Sequence, residues 1–470
     1  MQTRLTLSVV TLVVLSGAAQ AQVADRSGLF FEDYRGTGSS DVAIDPSGVV
    51  HAAYVHYEPT AEGAAAVYAS CAGEAGACAT SGPWSLVELM PAAHDVQVAV
   101  TPEGQPRLLI VTDSVGQPGG LDYSYAECDD ACSVAANWRI SLIATSWDAM
   151  GMAFATDTMP QRSFVLDAQG HPRFIYSDRN YSIEPDHYGT FYMSCDTGCT
   201  DPGNWTETDL ARHSDYDTEI FDAPALALTA DGRPRVVARV FALPGPGEEE
   251  GKEGLYYLAC ESNCTETPSW TRTWMIDAGG GTYPSPTWDL QIDGQGRPRV
   301  AFFAGDGMEQ EDLSHSLIYL WCDEADCLAD SAWNGSVIAN ESIGEGASLA
   351  LDAEGRPRMA FLNASSELGY AWCDEACETP DGVWDAVFVE GQSDLTGVRP
   401  TALPFTCDGE LWNGLAPQLT LLPDGAPMVT YDLTVQGRCL YHEEGRPEDE
   451  IDYSFHEIWH GARMVAFPAP

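Results

Sequence analysis

LALDAEGRPRMAFLNASSELGYAWCDEACETPDGVW, residues Leu349 to Trp384, reads as two β-hairpins in series. Apolar residues alternate or cluster in Leu349–Asp352 and Arg358–Phe361, on either side of an Ala-Glu-Gly turn. That is the pattern of two short strands around a tight turn. Leu368–Cys373 and Trp384–Val389 form a second pair around a loop bracketed by Cys373 and Cys377.

The unit recurs along the chain. Its turn glycine stands at Gly48, Gly104, Gly170, Gly232, Gly296, Gly355 and Gly425. Tyr-x-x-Cys recurs six times, at Tyr68/Cys71, Tyr125/Cys128, Tyr192/Cys195, Tyr257/Cys260, Tyr319/Cys322 and Tyr370/Cys373. A second cysteine follows each (Cys78, Cys132, Cys199, Cys264, Cys327, Cys377), then a tryptophan (Trp84, Trp138, Trp205, Trp270, Trp333, Trp384). Seven four-stranded copies predict an all-β fold, a seven-bladed β-propeller with one blade per copy. The expected blades are approximately 37–92, 93–147, 148–212, 213–277, 278–340, 341–391 and 392–470.

Met1–Ala21 reads as an export signal: Arg4, the apolar run Leu5–Leu15, then the small-residue site Ala19-Gln20-Ala21. No cysteine follows that site, so a lipid anchor is not expected, and residues 22–470 should form one exported domain, secreted or periplasmic. The net charge of −49, with Lys252 the only lysine, disfavours nucleic acid and anionic membrane as partners. Membrane insertion is not expected, and the expected state is a monomer. Partners left open are a glycan or an extracellular protein.

Fourteen cysteines in an exported chain predict disulfides. The close pairs 71–78, 128–132, 195–199, 260–264, 322–327 and 373–377 each bracket one loop and would seat the tryptophan after it. Cys407 and Cys439 remain, and elimination pairs them. Zinc would need about four ligands at one point, whereas a propeller spreads these pairs around its rim. Ile451–Ile458 copies Leu121–Cys128, which predicts a third strand there and a fourth over Ala462–Phe467, after a turn at Trp459–Gly461. The C-terminal hairpin would then close the ring, with Leu29–Tyr34 as the competing fourth strand.

In a four-stranded meander the 1–2 and 3–4 turns share one face, here uniform and cysteine-stapled. The opposite face carries the irregular loops, where binding residues usually sit. Trp147, Asp148, Asp178, Asp186, His187 and His213 are the candidate ligand-binding residues there. Asp215, Asp217 and Glu219, with Asp178, Glu184 and Asp186 from a neighbouring loop, are candidate ligands for Ca²⁺, which accepts uneven sets of oxygen donors. No cofactor is otherwise indicated, and no catalytic residue is singled out. Arg107, Arg173, Arg235, Arg299 and Arg358 recur at one strand position and read as hairpin braces rather than an anion-binding ring. Asp41, Gln97, Ser163, Ala225, Asp289, Ser348 and Gln418 occupy the innermost strands, and their polarity suits a wet channel mouth.

The L-x-L-D-x-x-G-x-P-x-V-A-[FY] hairpin resembles those of secreted bacterial propellers in the sialidase-like (BNR-repeat) superfamily, over essentially all of the chain after the signal. The resemblance implies architecture and repeat type. The sialidase Asp-box, Ser-x-Asp-x-Gly-x-Thr-Trp, is replaced by Asp-x-x-Gly, and no Phe-Arg-Ile-Pro segment occurs near the mature start. It therefore implies no catalytic residue. Two functions remain: a non-catalytic module binding a glycan or protein on the irregular face, or a glycoside hydrolase or polysaccharide lyase on that face. A buried carboxylate pair beside an arginine or tyrosine would favour the enzyme; scattered, solvated acids would favour binding.

Overall fold

The computed structural model describes residues 7–8, 27–30, 37–57, 64–73, 75–80, 82–116, 120–146, 162–178, 188–213, 220–241, 254–277, 287–304, 313–324, 327–329, 332–339, 343–363, 365, 367–379, 382–395, 407–441 and 452–469. They form seven antiparallel blades in a propeller ring. Blade one comprises Thr37–Ile44, Val50–Tyr57, Ala64–Cys71 and Trp84–Pro91. Blade two comprises Ala93–Val100, Pro106–Asp113, Leu121–Glu127 and Arg139–Thr145. Blade three has Phe164–Leu166, Pro172–Asp178, Tyr188–Ser194 and Thr206–His213. Blade four has Ile220–Leu228, Pro234–Phe241, Gly254–Cys260 and Trp270–Ile276. Thr287–Ile292, Pro298–Phe303, Leu317–Cys322 and Trp333–Ala339 make blade five, with Leu7–Ser8 added in parallel to its outer strand. Ile343–Leu351, Pro357–Asn363, Leu368–Cys373 and Trp384–Glu390 make blade six.

Blade seven corrects the expected ring closure. Asp452–Ala466 is one continuous strand, with Gly461 paired to Leu433 where a turn was expected. Thr430 lies between Gln418 and Met464 as Ala360 lies between Ser348 and Tyr370, so Met464, not the 451–458 segment, matches the third strands of other blades. The likeness of 451–458 to 121–128 is local; Trp459–Gly461 lacks the paired turn residues that would reverse the chain. The fourth strand comes from the other end of the chain: Ser27–Phe30 pairs antiparallel with Arg463–Ala466. The competing N-terminal strand closes the ring.

Local chemistry explains the repeat. All seven turn glycines have positive φ, +80° at Gly355 for example, a region that favours glycine. At Gly104 a side chain would also fall 2.8 Å from Asp45 Oδ2 of the adjacent hairpin. The turn aspartates fold the loop: Asp352 Oδ1 accepts from the Glu354 and Arg356 amides at 3.0 and 2.8 Å.

All six close cysteine pairs are disulfides: Cys71 with Cys78, Cys128 with Cys132, Cys195 with Cys199, Cys260 with Cys264, Cys322 with Cys327, and Cys373 with Cys377. The repeat is not uniform in where the first cysteine falls. Cys71, Cys260, Cys322 and Cys373 end their strands, as the reading of Leu368–Cys373 leads one to expect. Cys128 and Cys195 instead stand one residue beyond theirs, which end at Glu127 and Ser194. The backbone holds them at the sheet edge all the same: the Cys195 amide donates to the Pro172 carbonyl at 3.3 Å, and the Cys128 amide to Pro106 at 3.4 Å.

Five of the six tryptophans donate Nε1–H to the carbonyl of the second cysteine, at 2.7 Å for Trp205 and Cys199. The seated rings join the blades. Tyr68–Trp138, Tyr125–Trp205, Tyr192–Trp270, Tyr257–Trp333 and Tyr319–Trp384 meet edge-on across successive seams, with centroids 4.9–5.5 Å apart. Tyr370 meets Phe467 in the same manner at 5.3 Å. Such pairs contribute about 0.5–1.5 kcal/mol each beyond burial. Apolar clusters fill each gap between blades, such as Val50, Tyr54, Met428 and Met464 between blades seven and one.

Candidate functional site

The expected wet channel mouth is instead a set of seams. Asp41 Oδ2 accepts the Val98 amide of blade two at 2.8 Å, and Gln97 Oε1 accepts the Ser163 and Phe164 amides of blade three. Asp289 Oδ2 accepts Leu349 N–H at 2.8 Å, and Ser348 Oγ accepts Leu419 N–H at 3.0 Å. Where Ala225 offers no polar atom, Trp288 Nε1 donates to the Val237 carbonyl across the four–five seam. Leu226 N–H bonds the Arg162 carbonyl across three–four, and Thr420 Oγ1 bonds the Val42 carbonyl across seven–one. All seven seams carry a hydrogen bond beside the axis. The polar residues there give the strand edges between blades their hydrogen-bond partners.

On the irregular-face side of this layer, carboxyl groups of three blades act electrostatically on one another. Asp95 lies near the start of blade two's inner strand, two residues before Gln97. Its Oδ1 accepts the Val96 amide at 2.7 Å. Asp432 of blade seven accepts from Ser40 Oγ of blade one at 3.2 Å. Asp95 and Asp432 are buried. Burial raises the Asp95 carboxyl to about 7, with the charges of Asp41 and Asp432 adding to the rise and the Val96 amide opposing it. Burial raises Asp41 to about 6, restrained by the Val98 amide, Arg162 and the Val42 amide. The sequence reading missed Asp95, Asp432 and Arg162. Their one signal was position: Asp95 shares a strand face with Gln97, which was already in the ring.

The remaining polar clusters are structural. Each recurring arginine bonds the first-cysteine carbonyl and an adjacent acid. Arg299, fully buried, donates to the carbonyls of Pro298 and Cys322 and to Asp293 and Asp323. The brace reading holds, and it ties the hairpin to the cysteine loop. Asp167, His171 and Asp196 could converge on a metal ion. However, Arg173 bonds both carboxylates, at 3.1 and 2.5 Å, and His171 stands where Arg297 and Arg356 brace the other turns. Cys195, next in the chain to Asp196, offers no thiolate to such an ion, because its sulfur is bonded to Cys199. Its carbonyl accepts from Arg173 Nη1 at 2.6 Å, so it belongs to the brace. Between blades six and seven, Glu390 takes a bidentate pair from Arg463 and a bond from Tyr431 O–H. Burial holds the Tyr431 hydroxyl well above its ordinary range, with Glu390 adding to the shift, so it is a closed tie rather than a nucleophile.

Asp178 and His213, expected in loops, are the last residues of the second and fourth strands of blade three, opposite Gly189 and Tyr188 of the intervening strand. Trp147, Asp148, Asp186, His187, Asp215, Asp217 and Glu219, with Glu184, lie outside the described residues.

No protein-family model matches the sequence, and no curated protein matches it. Among solved structures it is similar to a Penicillium chrysogenum α-L-arabinanase complexed with arabinobiose, at 14% identity and TM-score 0.43, covering 77% of this chain and 98% of that one. It is also similar to the GH93 α-L-arabinofuranosidase of Fusarium graminearum with arabinobiose, at 12% identity and TM-score 0.43, covering 80% and 99%. A third similarity is to the intramolecular trans-sialidase of Ruminococcus gnavus, at 9% identity and TM-score 0.36, covering 94% and 96%. No helix among the described residues is long and apolar enough to cross a membrane.

Proposed function

We propose that the chain is an exported, glycan-directed propeller whose irregular face hydrolyses glycosidic bonds. The observation that carries this is Asp95: a buried carboxyl raised to about 7, coupled to Asp41 and Asp432. Glycoside hydrolysis needs one carboxyl held protonated to donate to the leaving oxygen and a second held ionised. In this reading Asp95 is the acid and Asp432 its charged counterpart, with Asp178 and His213 on the rim of the same face. Asp215, Asp217 and Glu219 are the proposed Ca²⁺ ligands. Calorimetry with Ca²⁺ on EDTA-treated protein, repeated with Asp215→Ala/Asp217→Ala, tests that site.

A second reading, recognition without turnover, is favoured by Asp41, whose two oxygens are occupied by the Val42 and Val98 amides. A glycan array followed by assay of each hit for new reducing ends separates the two. Turnover that Asp95→Asn abolishes while binding persists supports hydrolysis. Binding without turnover selects the recognition module, and absence of binding removes both.

A further inference from the structure

At the ring axis, one cation faces two of the seam-closing carboxylates. Arg162 stands just before the inner strand of blade three, and its carbonyl accepts the Leu226 amide of blade four at 2.7 Å. Its Nη2 donates to the Leu419 carbonyl of blade seven at 2.9 Å. Blades three and seven are not neighbours in a seven-membered ring, so this side chain crosses the axis. The guanidinium acts electrostatically on Asp41 of blade one and on Asp289 of blade five, favouring the ionised form of each. Both are acceptors that close seams, one–two and five–six.

We propose that Arg162 is an axial charge lock, bridging blades three and seven while holding Asp41 and Asp289 as the ionised acceptors of their seams. An ionised carboxylate accepts at both oxygens, as Asp41 does from Val42 and Val98; a protonated one gives up an acceptor site. Burial opposes that ionisation and the two carboxylates repel each other, so at Asp41 the Arg162 cation adds to the Val98 amide in sustaining it. Arg239, buried, holds in blade four the strand position that Asp432 holds in blade seven, and the further carboxyls near this layer among the described residues include Asp95 and Asp432. They are anionic when ionised and deepen the need for a cation. Arg162 is therefore a positioning residue for the whole ring, independent of what the irregular face binds.

The test is thermal melting of full-length Arg162→Met, Arg162→Lys and wild type at pH 5 and pH 8. Arg162→Met should melt well below wild type at pH 8. The gap should shrink by at least half at pH 5, below the value of about 6 to which Asp41 is raised, where Asp41 is largely protonated in both proteins. Arg162→Lys should follow the wild-type profile. In an Asp41→Asn/Asp289→Asn background, Arg162→Met should produce the same shift at both pH values. If Arg162→Met fails to fold at pH 8, recovery at pH 5 supports the lock. Failure at both, or an equal melting gap at both pH values in the otherwise native chain, overturns it.

Discussion

Phe30 lies opposite Arg463, so a strand near the beginning of the chain forms the outer edge of the blade built by its end. The covalent gap in the ring is thus bridged within one sheet. The seven–one seam adds packing and the Thr420–Val42 bond. Deleting residues 22–34 should remove about 2–4 kcal/mol of backbone pairing, at roughly 1 kcal/mol per bond. Hydrogen exchange should rise selectively across 462–466. Unchanged protection there would show that Ser27–Phe30 does not close the ring.

Cys407 and Cys439 are directly opposed in blade seven. Opposed residues in an antiparallel pair have Cα atoms about 4.5–5.5 Å apart, within disulfide range. Seven disulfides are therefore expected: the six loop pairs and 407–439. Non-reducing peptide mapping of the exported protein checks this, and a free thiol at Cys407 or Cys439 would refute the seventh.

The blades were legible because most repeat one chemistry: a positive-φ turn glycine in all seven, paired cysteines followed by a tryptophan in six, a bracing arginine in five and a turn aspartate in four. Blade seven was misread where that chemistry stops. Without a cysteine loop, the lone Gly461 invited a turn although Trp459–Gly461 lacks a paired turn motif, and the pairing of Gly461 with Leu433 shows a continuous strand. The inner-strand ring was identified correctly by position and misassigned by role. Whether Asp41 meets water or the Val98 amide depends on how closely blades one and two approach, a long-range fact. Arg162 was invisible for the same reason, since its partner Leu419 lies 257 residues away.

Stability should rise as pH falls from 8 towards 5. The folded carboxyls of Asp41 and Asp95 are raised to about 6 and about 7, and that of Asp289 is raised too. Between the ordinary carboxyl range and these values, the folded chain holds protons that the unfolded chain has lost, so stability declines as pH rises through that window. The turn aspartates act oppositely. Burial would raise Asp352, but the Arg356 amide, its guanidinium and Arg358 hold it below the ordinary value; Asp45 and Asp167 are lowered too. Their contribution is present above about pH 4 and is lost on further acidification. A melting-temperature maximum between about pH 4 and 6 follows. Asp95→Asn should flatten the alkaline side, and a profile still rising from pH 6 to 8 would contradict it.

Glu390→Gln tests whether the inter-blade tie is structural. Glu390 sits at the end of blade six's outer strand and binds Arg463 through two 3.0 Å bonds, with Tyr431 on the same carboxylate. All three side chains are buried, so neutralising Glu390 removes a bidentate counter-charge from the buried Arg463 cation. Breaking one partner of such a pair costs on the order of 3–5 kcal/mol, whereas replacing both with apolar groups of similar size is often close to neutral. Glu390→Gln should therefore lower the urea midpoint sharply. Glu390→Leu/Arg463→Met should recover most of the loss, because apolar surface then faces apolar surface across the six–seven seam. A double variant no more stable than Glu390→Gln would mean that the hydrogen-bond geometry around Tyr431, rather than the buried charge pair, holds the two blades together.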